Sequence, residues 1–539
     1  MPITSITIEN FKGVGEIAHI PLKPITLLFG ANSAGKSTIL QALLYLRELL
    51  ERKNADADIL SGCGQAINLG GFREFVHGHD LSKTVRIGAT VTVDHDGLSE
   101  YVVAEEEMPD LPRAYGSLTK NVETAGIVVD VEFSALSGPY IKAYHVLVNG
   151  GRAGTISAKP GQDPVVSLPE VGCLYEELFF PEDEEDDAPE GPPWPAADEL
   201  DAGVSGDLAS DPSEGAIEPE DLHQASFAGL TVVPDLGRAF GTLQSCTFKD
   251  ETGRSDAQLR EIFSQVFVGV GDLVLAELSK ARYIGPIRKT PSRSFHPVRS
   301  RDPGRWADGS AAWDLLYGAN QELHWLDVQG INNLGLGYRL ETTRKFEVPA
   351  EGLLGKALQR ATLGLADAFE DLDSVSEEEL RRIKEKVHFE LISDETHVKV
   401  QPADVGIGVS QVMPVVVGAM APGCRVFAVE QPELHLHPKV QCNLADILIA
   451  SMHANPDLLQ LLETHSEHMM LRLMRRIRET ASNQQLSENL ALHPDQVQVL
   501  FVEIYEGRSI FRPMPLNDKG EWVKSWPGGF FEEELEELF

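Results

Sequence analysis

Residues 25–38 read ITLLFGANSAGKST. A short apolar run stops at Gly30, a polar loop follows, and from Lys36 the segment KSTILQALLYLRELLERK repeats apolar residues at helical spacing: Ile39, Leu43, Leu46, Leu50. Gly30, Gly35, Lys36 and Ser37 fit G-x-x-x-x-G-K-[ST], and the strand before it and helix after it are the setting this pattern needs. Glycines let the backbone bend so that successive N–H groups face one point. The helix N-terminus adds a partial positive charge to that anion site. The loop Gly30, Ala31, Asn32, Ser33, Ala34, Gly35, Lys36, Ser37, Thr38 therefore reads as a cradle for ATP. In it Lys36 reaches the β- and γ-phosphates and Ser37 ligates Mg²⁺.

A cradle of this kind places its triphosphate at the carboxyl edge of a sheet. Residues 426–438, VFAVEQPELHLHP, bring a carboxylate, Glu430, to the end of an apolar strand. Glu430 is expected beside the cradle, holding the magnesium directly or through water. Gln431 follows where many ATP-hydrolysing sites put a second acid. An amide orients water by hydrogen bonds but does not take its proton. Phosphoryl transfer relies chiefly on positioning and charge neutralisation, so Gln431 still permits turnover, and Glu433 is the alternative water-activating acid. Slow hydrolysis with long-lived ATP-bound states is the expectation.

The chain has 539 residues, 42% hydrophobic and 24% charged, enough for two or three domains. Its formal net charge of −37 repels nucleic acid and anionic membrane overall, so a nucleic-acid contact must be a local patch. Five cysteines (Cys63, Cys173, Cys246, Cys424, Cys442) show no metal-ligand or redox spacing, which suggests reduced thiols in a cytosol. The N-terminal MPITSITIENFKG has neither the basic nor the long apolar region of a signal peptide. No uninterrupted apolar stretch approaches the length of a membrane span, so a cytoplasmic protein is expected.

Residues 1–80 are read as one lobe of a nucleotide-binding head. Segments such as TVRIGATVTVDH and GIVVDVEFSAL within 81–180 alternate between turn signals and predict an antiparallel β-rich section. Residues 181–225 are rich in Asp, Glu, Pro, Gly and Ser and read as an acidic disordered linker; a DNA mimic or an autoinhibitory tail is the sharper alternative. Residues 226–390 form a helical insert with helices over 255–281 and 351–370. Residues 391–480 are read as the second lobe, and from 425 strands and helices alternate, predicting a mostly parallel sheet with helices on its faces. Residues 481–539 hold a closing strand pair and an acidic tail.

The run PELHLHP after the strand-end acid, with LLETHSEH at 461–468 and IENFKGVGE before the cradle, resembles ABC-type ATPases of the SMC and OLD kind. YIGPIR at 283–288, VGIGVSQVMPV at 405–415 and the terminal WPGGFFEEELEELF resemble a bacterial group of AAA-labelled, SMC-like ATPases with a C-terminal domain of unknown function. The resemblance implies an α/β P-loop NTPase of ABC/SMC-head type, a mixed sheet with helices on both faces plus a β-rich and helical inserted lobe. It makes His465 the switch histidine that contacts the γ-phosphate, and an imidazole there can sense that phosphate. It makes Gly406, Gly408, Ser410 and Gln411 the signature that grips nucleotide held by a second subunit. Glycine stands where the usual signature has serine, with Ser410 offered as a substitute hydroxyl. Gln65 is the Q-loop candidate by its place after the first helix. It further implies a homodimer around two ATP, a separate effector, and a setting in DNA maintenance or phage defence. About 70 residues follow ETHS, too few for the nuclease domain that OLD proteins carry, so no nuclease is expected.

Two features stay open on sequence alone. His435 and His437, with His77 and His79, invite a metal reading but make an incomplete ligand set, and the resemblance puts the first pair in a loop crossing between subunits. Arg282, Arg288, Lys289, Arg293, Arg299 and Arg301 lie in one acid-free stretch, either a DNA-backbone patch or a loop paired with this protein's own carboxylates. Two other function classes compete: an ATP-gated scaffold with negligible hydrolysis, and a P-loop small-molecule kinase. The kinase leaves residues 406–411 unexplained.

Overall fold

The computed structural model describes residues 2–60, 67–94, 98, 122–169, 222–246, 256–293, 295–298, 300, 302–317, 328–364, 375–376, 380, 382–482 and 486–527. Most of the acidic linker and nearly all of the acidic tail fall outside these residues, as does Gln65.

The strands run in chain order β1 (Ile3–Glu9), β2 (Ala18–Pro21), β3 (Ile25–Gly30), β4 (Val85–Thr92), β5 (Thr124–Ser134), β6 (Gly138–Val148), β7 (Gly151–Ser157), β8 (Val165–Pro169), β9 (Leu222–Phe227), β10 (Leu243–Cys246), β11 (Ala281–Ile284), β12 (Tyr338–Glu347), β13 (Lys384–Ser393), β14 (Lys399–Val400), β15 (Val426–Glu430), β16 (Leu459–Glu463), β17 (Val497–Tyr505) and β18 (Arg508–Pro513). They form three sheets. Nine antiparallel strands take the order β10-β9-β8-β7-β6-β5-β4-β1-β2. Six take the order β11-β15-β16-β3-β17-β18, parallel except for β18, and β12-β13-β14 make a small third sheet.

The cradle strand β3 is buried along its whole length, as are all but the last residue of β15 and all of β16. Such strands are continuous apolar runs because both faces of the sheet are covered. Leu28, Ala428 and Leu461 point into one core with the Ser37–Arg52 helix and the large antiparallel sheet. Leu27, Phe29, Phe427, Val429 and Leu462 point into a second core under the helices Ile407–Met420, Pro438–Ala454 and Glu467–Ala481. The β-rich segment is continuous with the N-terminal strands, since β4 pairs antiparallel with β1.

The helix expected over 255–281 is a composite. Asp256–Phe263 and Val270–Ser279 are joined by a π-helical turn, Ser264–Gly269, and the chain enters β11 at Ala281. Among the described residues one helix, Leu259–Ser279, is long and apolar enough to cross a membrane, and 72% of that window is buried inside the protein. Its Phe263, Phe267 and Val270 pack in the first core, which accounts for its composition.

A buried ion cluster braces the large sheet. Asp130, 5% exposed, accepts from Arg86 Nε at 2.8 Å and lies 3.2 Å from His145 Nε2. Burial opposes ionisation of this carboxyl, but the bonds to His145 and Arg86 outweigh it and hold its pKa well below the usual range. A depressed folded-state pKa stabilises above the unfolded value, about 4, and that contribution is lost as pH falls below it. Chemical denaturation should find Asp130→Asn less stable than wild type at pH 7, with the gap closing as pH is lowered through 4. A gap independent of pH would contradict the ionic account.

Candidate nucleotide-binding site

The cradle is shaped by two glycines. Gly30 has φ +141°, and a Cβ there would lie 2.0 Å from the Val502 carbonyl oxygen. Gly35 has φ +99°, and its Cβ would lie 2.4 Å from Ser509 Oγ. Only glycine lets the chain leave β3 against β17 and enter the helix against β18. Lys36, 4% exposed, curls back to donate to the carbonyls of Gly30 at 3.1 Å and Ala31 at 2.9 Å. Its Nζ lies 3.9 Å from Glu463 Oε1, and Ser37 Oγ donates to Glu463 Oε2 at 2.6 Å. Burial lowers the Lys36 pKa, while Glu463, Glu433 and Glu430 pull it back up.

Glu430 sits at the same edge. β15, β16 and β3 are adjacent and parallel, with Glu430 opposite Glu463 and Glu463 opposite Leu28. Three strands therefore end together over one cradle, the position at which open α/β sheets bind ligands. Tyr283, from β11, donates its hydroxyl to Glu430 Oε1 at 2.8 Å. Burial raises the Glu430 pKa and Glu463 raises it further, against Tyr283, Arg288 and Lys12. Lys12 comes from the NFKG stretch just after β1 and donates to the Gln41 side chain on the cradle helix. Sequence reasoning had assigned roles to neither Lys12 nor Glu463.

Gln431 takes a left-handed backbone, φ 47°, and its N–H donates to the Glu463 carbonyl at 2.7 Å. Glu433, the alternative acid, is held in place by the residues that follow β16. Its Oε1 accepts from the His465 N–H at 2.8 Å and its Oε2 from Thr464 Oγ1 at 2.8 Å, so both oxygens hold the Thr464–His465 turn. Burial raises its pKa against those bonds. Burial and then Lys36 lower the pKa of His465, which favours the neutral imidazole. His465 Nε2 is buried and has no hydrogen-bond partner among the described residues.

The signature candidates divide. Gly406 caps the Ile407–Met420 helix and is exposed, as is Ile407. Gly408 lies against the loop after β15, where a Cβ would stand 3.0 Å from the His435 carbonyl. Ser410 and Gln411 turn inward, at 0% and 4% exposure. Ser410 Oγ donates to the Ile407 carbonyl at 2.8 Å and accepts from Thr290. The Gln411 amide brackets Arg288, accepting from its N–H at 3.2 Å and donating to its carbonyl at 2.7 Å.

Arg288 overturns part of the DNA-patch reading. It is 2% exposed, and Nη2 donates to the carbonyls of Glu430 at 2.5 Å and Gln431 at 3.1 Å. Burial pushes its pKa down to about 10. Arg282 is likewise turned inward, bonded to the carbonyls of Gly418 and Ala421 and stacked 4.2 Å from the Trp306 ring. Lys289 pairs with Asp308 at 2.7 Å and Arg293 with Asp404 at 2.5 Å. Arg299 and Arg301 lie outside the described residues. Four of the six cations thus serve this protein's own carbonyls and carboxylates.

The histidine pairs also have local roles. His77 Nδ1 lies 2.8 Å from the Lys12 carbonyl, His79 Nδ1 lies 2.9 Å from that of Arg73, and His437 caps the Pro438–Ala454 helix. Among the described residues no group of three or more His, Cys, Asp and Glu is placed to hold a metal. Magnesium at a phosphate site needs fewer: one or two carboxylates, with phosphates and water completing its shell. The hydroxyl of Ser37 and the carboxylates of Glu463 and Glu430 are hard oxygen donors that suit it.

Residues 1–106 match the family model of the AAA ATPase domain. This segment contains the cradle, Lys12 and the helix that follows. No curated protein matches the chain. Solved structures that align with it include an Smc head bound to the C-winged helix domain of ScpA (10% identity, 96% of this chain and 99% of that chain, TM-score 0.37). Others are an Smc head with an extended coiled coil bound to the C-terminal domain of ScpA, from Pyrococcus furiosus (11%, 100% and 99%, 0.35), and the SMC head of Thermotoga maritima (9%, 96% and 100%, 0.36). At these scores the overlaps are loose, and the functional reading rests on the geometry of the site.

Arg288→Met should remove the clamp on the Glu430–Gln431 turn and with it two part-buried hydrogen bonds, at about 1 kcal/mol each. Thermal melting should show the loss. A variant as stable as wild type would mean that the clamp contributes little.

Proposed function

We propose that this chain is a Mg²⁺-dependent ATPase of slow turnover whose ATP-bound form pairs with a second copy. The supporting observation is the convergence of Lys36, Ser37, Glu463 and Glu430 at the ends of three adjacent parallel strands. Loop N–H groups and the helix N-terminus would cradle the phosphates, and Lys36 would swing from the Gly30 and Ala31 carbonyls to the β- and γ-oxygens. Magnesium, held from Ser37 and the strand-end carboxylates, supplies neutralisation of the charge on the β- and γ-phosphates. The neutral His465, held by Glu433 through its backbone, would meet the γ-phosphate with its unpartnered Nε2.

Glu433 is engaged elsewhere, which leaves Gln431 as the residue to orient water. Its amide cannot take a proton, so hydrolysis should be slow. The same observation favours a second reading, an ATP-gated scaffold with negligible hydrolysis. In either reading the exposed helix start at Gly406 and Ile407 is the surface offered to the partner copy's nucleotide, a cyclic two-fold arrangement. A separate effector, and a setting in DNA maintenance or phage defence, are supported by the sequence resemblance.

Light scattering should show a monomer without nucleotide and a dimer with Mg²⁺ and a non-hydrolysable ATP analogue, with Lys36→Ala monomeric in both. A nucleotide-independent oligomeric state would contradict the switch. In single-turnover assays Gln431→Glu should hydrolyse faster than wild type, by about tenfold or more given what a general base contributes. Unmeasurable wild-type hydrolysis, rescued by no acid at 431, would favour the scaffold.

A further inference from the structure

β15 and β16 each end in a glutamate: VFAVE and LQLLE. Their register sets Glu430 directly opposite Glu463. Like charges facing each other across neighbouring strands are unfavourable unless a cation lies between or beside them. Of the two, Glu463 is the one that touches the cradle. Its Oε2 is 2.6 Å from Ser37 Oγ and its Oε1 is 3.9 Å from Lys36 Nζ, while the residue is only 8% exposed. Glu430 is turned toward Tyr283 on its outer side.

We infer that Glu463 is a metal-holding residue of this site, sharing the nucleotide's magnesium with Ser37 and adding a second carboxylate beside Glu430. Two oxygens on one octahedral Mg²⁺ at 2.0–2.1 Å stand about 2.9 Å apart, close to the separation of Ser37 Oγ and Glu463 Oε2. Widening that pair by about 0.3 Å gives the separation the ion needs. Glu463 is well placed to stay put. Its carbonyl accepts from the Gln431 N–H at 2.7 Å, and the next residue, Thr464, donates its N–H to the Leu28 carbonyl at 3.1 Å. The carboxylate is thereby fixed between the strand that carries Glu430 and the strand that feeds the cradle. Glu430, with Tyr283 on its Oε1, completes the shell through its other oxygen or through water.

This inference rests on the ATP-binding reading, and the test separates the two. Calorimetry measures affinity for a non-hydrolysable ATP analogue with Mg²⁺ and with EDTA, and Mn²⁺ electron paramagnetic resonance measures metal affinity in the protein–nucleotide complex. For Glu463→Gln the affinity in EDTA is the variant's own baseline, because Glu463 also helps to keep Lys36 charged. The gain on adding metal should fall at least tenfold, and Mn²⁺ should bind correspondingly more weakly. Glu463→Asp, which keeps the charge on a shorter arm, should recover part of both; thermal melts confirm that each variant is folded. A Glu463→Gln variant with wild-type metal dependence would overturn the inference alone. So would an equal loss of affinity with and without metal, because that marks a structural tether. Failure of the wild-type chain to bind nucleotide at all would overturn the parent reading as well.

Discussion

Everything in this molecule that bears on chemistry depends on one buried ammonium and the carboxylates around it. Lys36 is almost wholly removed from water, and burial lowers its pKa. Glu463, Glu433 and Glu430 oppose that shift, and the carbonyls of Gly30 and Ala31 accept its hydrogen bonds. The cluster is held by the parallel sheet. β3 carries the cradle, β16 lies beside it and β15 lies one strand further, so the charged ends of three apolar strands are brought to one edge by backbone pairing.

The rest of the fold keeps that edge rigid. One core locks the cradle helix against the antiparallel sheet, and a second seats three helices against the opposite face of the parallel sheet. Arg288 connects the two halves of the site. It holds the turn after Glu430 by its guanidinium and is itself held by Gln411, a signature candidate on the Ile407–Met420 helix. A shift of that helix would therefore be felt at the Glu430–Gln431 turn.

Much of this was legible in the sequence, for definite reasons. The cradle was readable because glycine, lysine and serine at fixed spacing between a strand and a helix answer a local geometric demand. β15 and β16 were readable because strands buried on both faces are short continuous apolar runs. What escaped were properties of pairing and burial. Glu463 ends its strand as Glu430 does, but register alone puts the two face to face, and ETHS had drawn attention to its histidine. Glu433 looked free to activate water until its oxygens were seen on Thr464 and His465. Arg282 and Arg288 looked like surface charge because a run of cations gives no sign of which side chains turn inward to meet carbonyls. The inward turn of Ser410 and Gln411 was hidden for the same reason.

The account stands or falls on a structure of the chain with Mg²⁺ and a non-hydrolysable ATP analogue. It predicts the γ-phosphate against Lys36 Nζ, with one magnesium ligated by Ser37 Oγ and a carboxylate at the β15–β16 edge, and Glu430 no further from that ion than one bridging water. Nucleotide bound away from Lys36, or a metal with neither Glu430 nor Glu463 in reach, would contradict it.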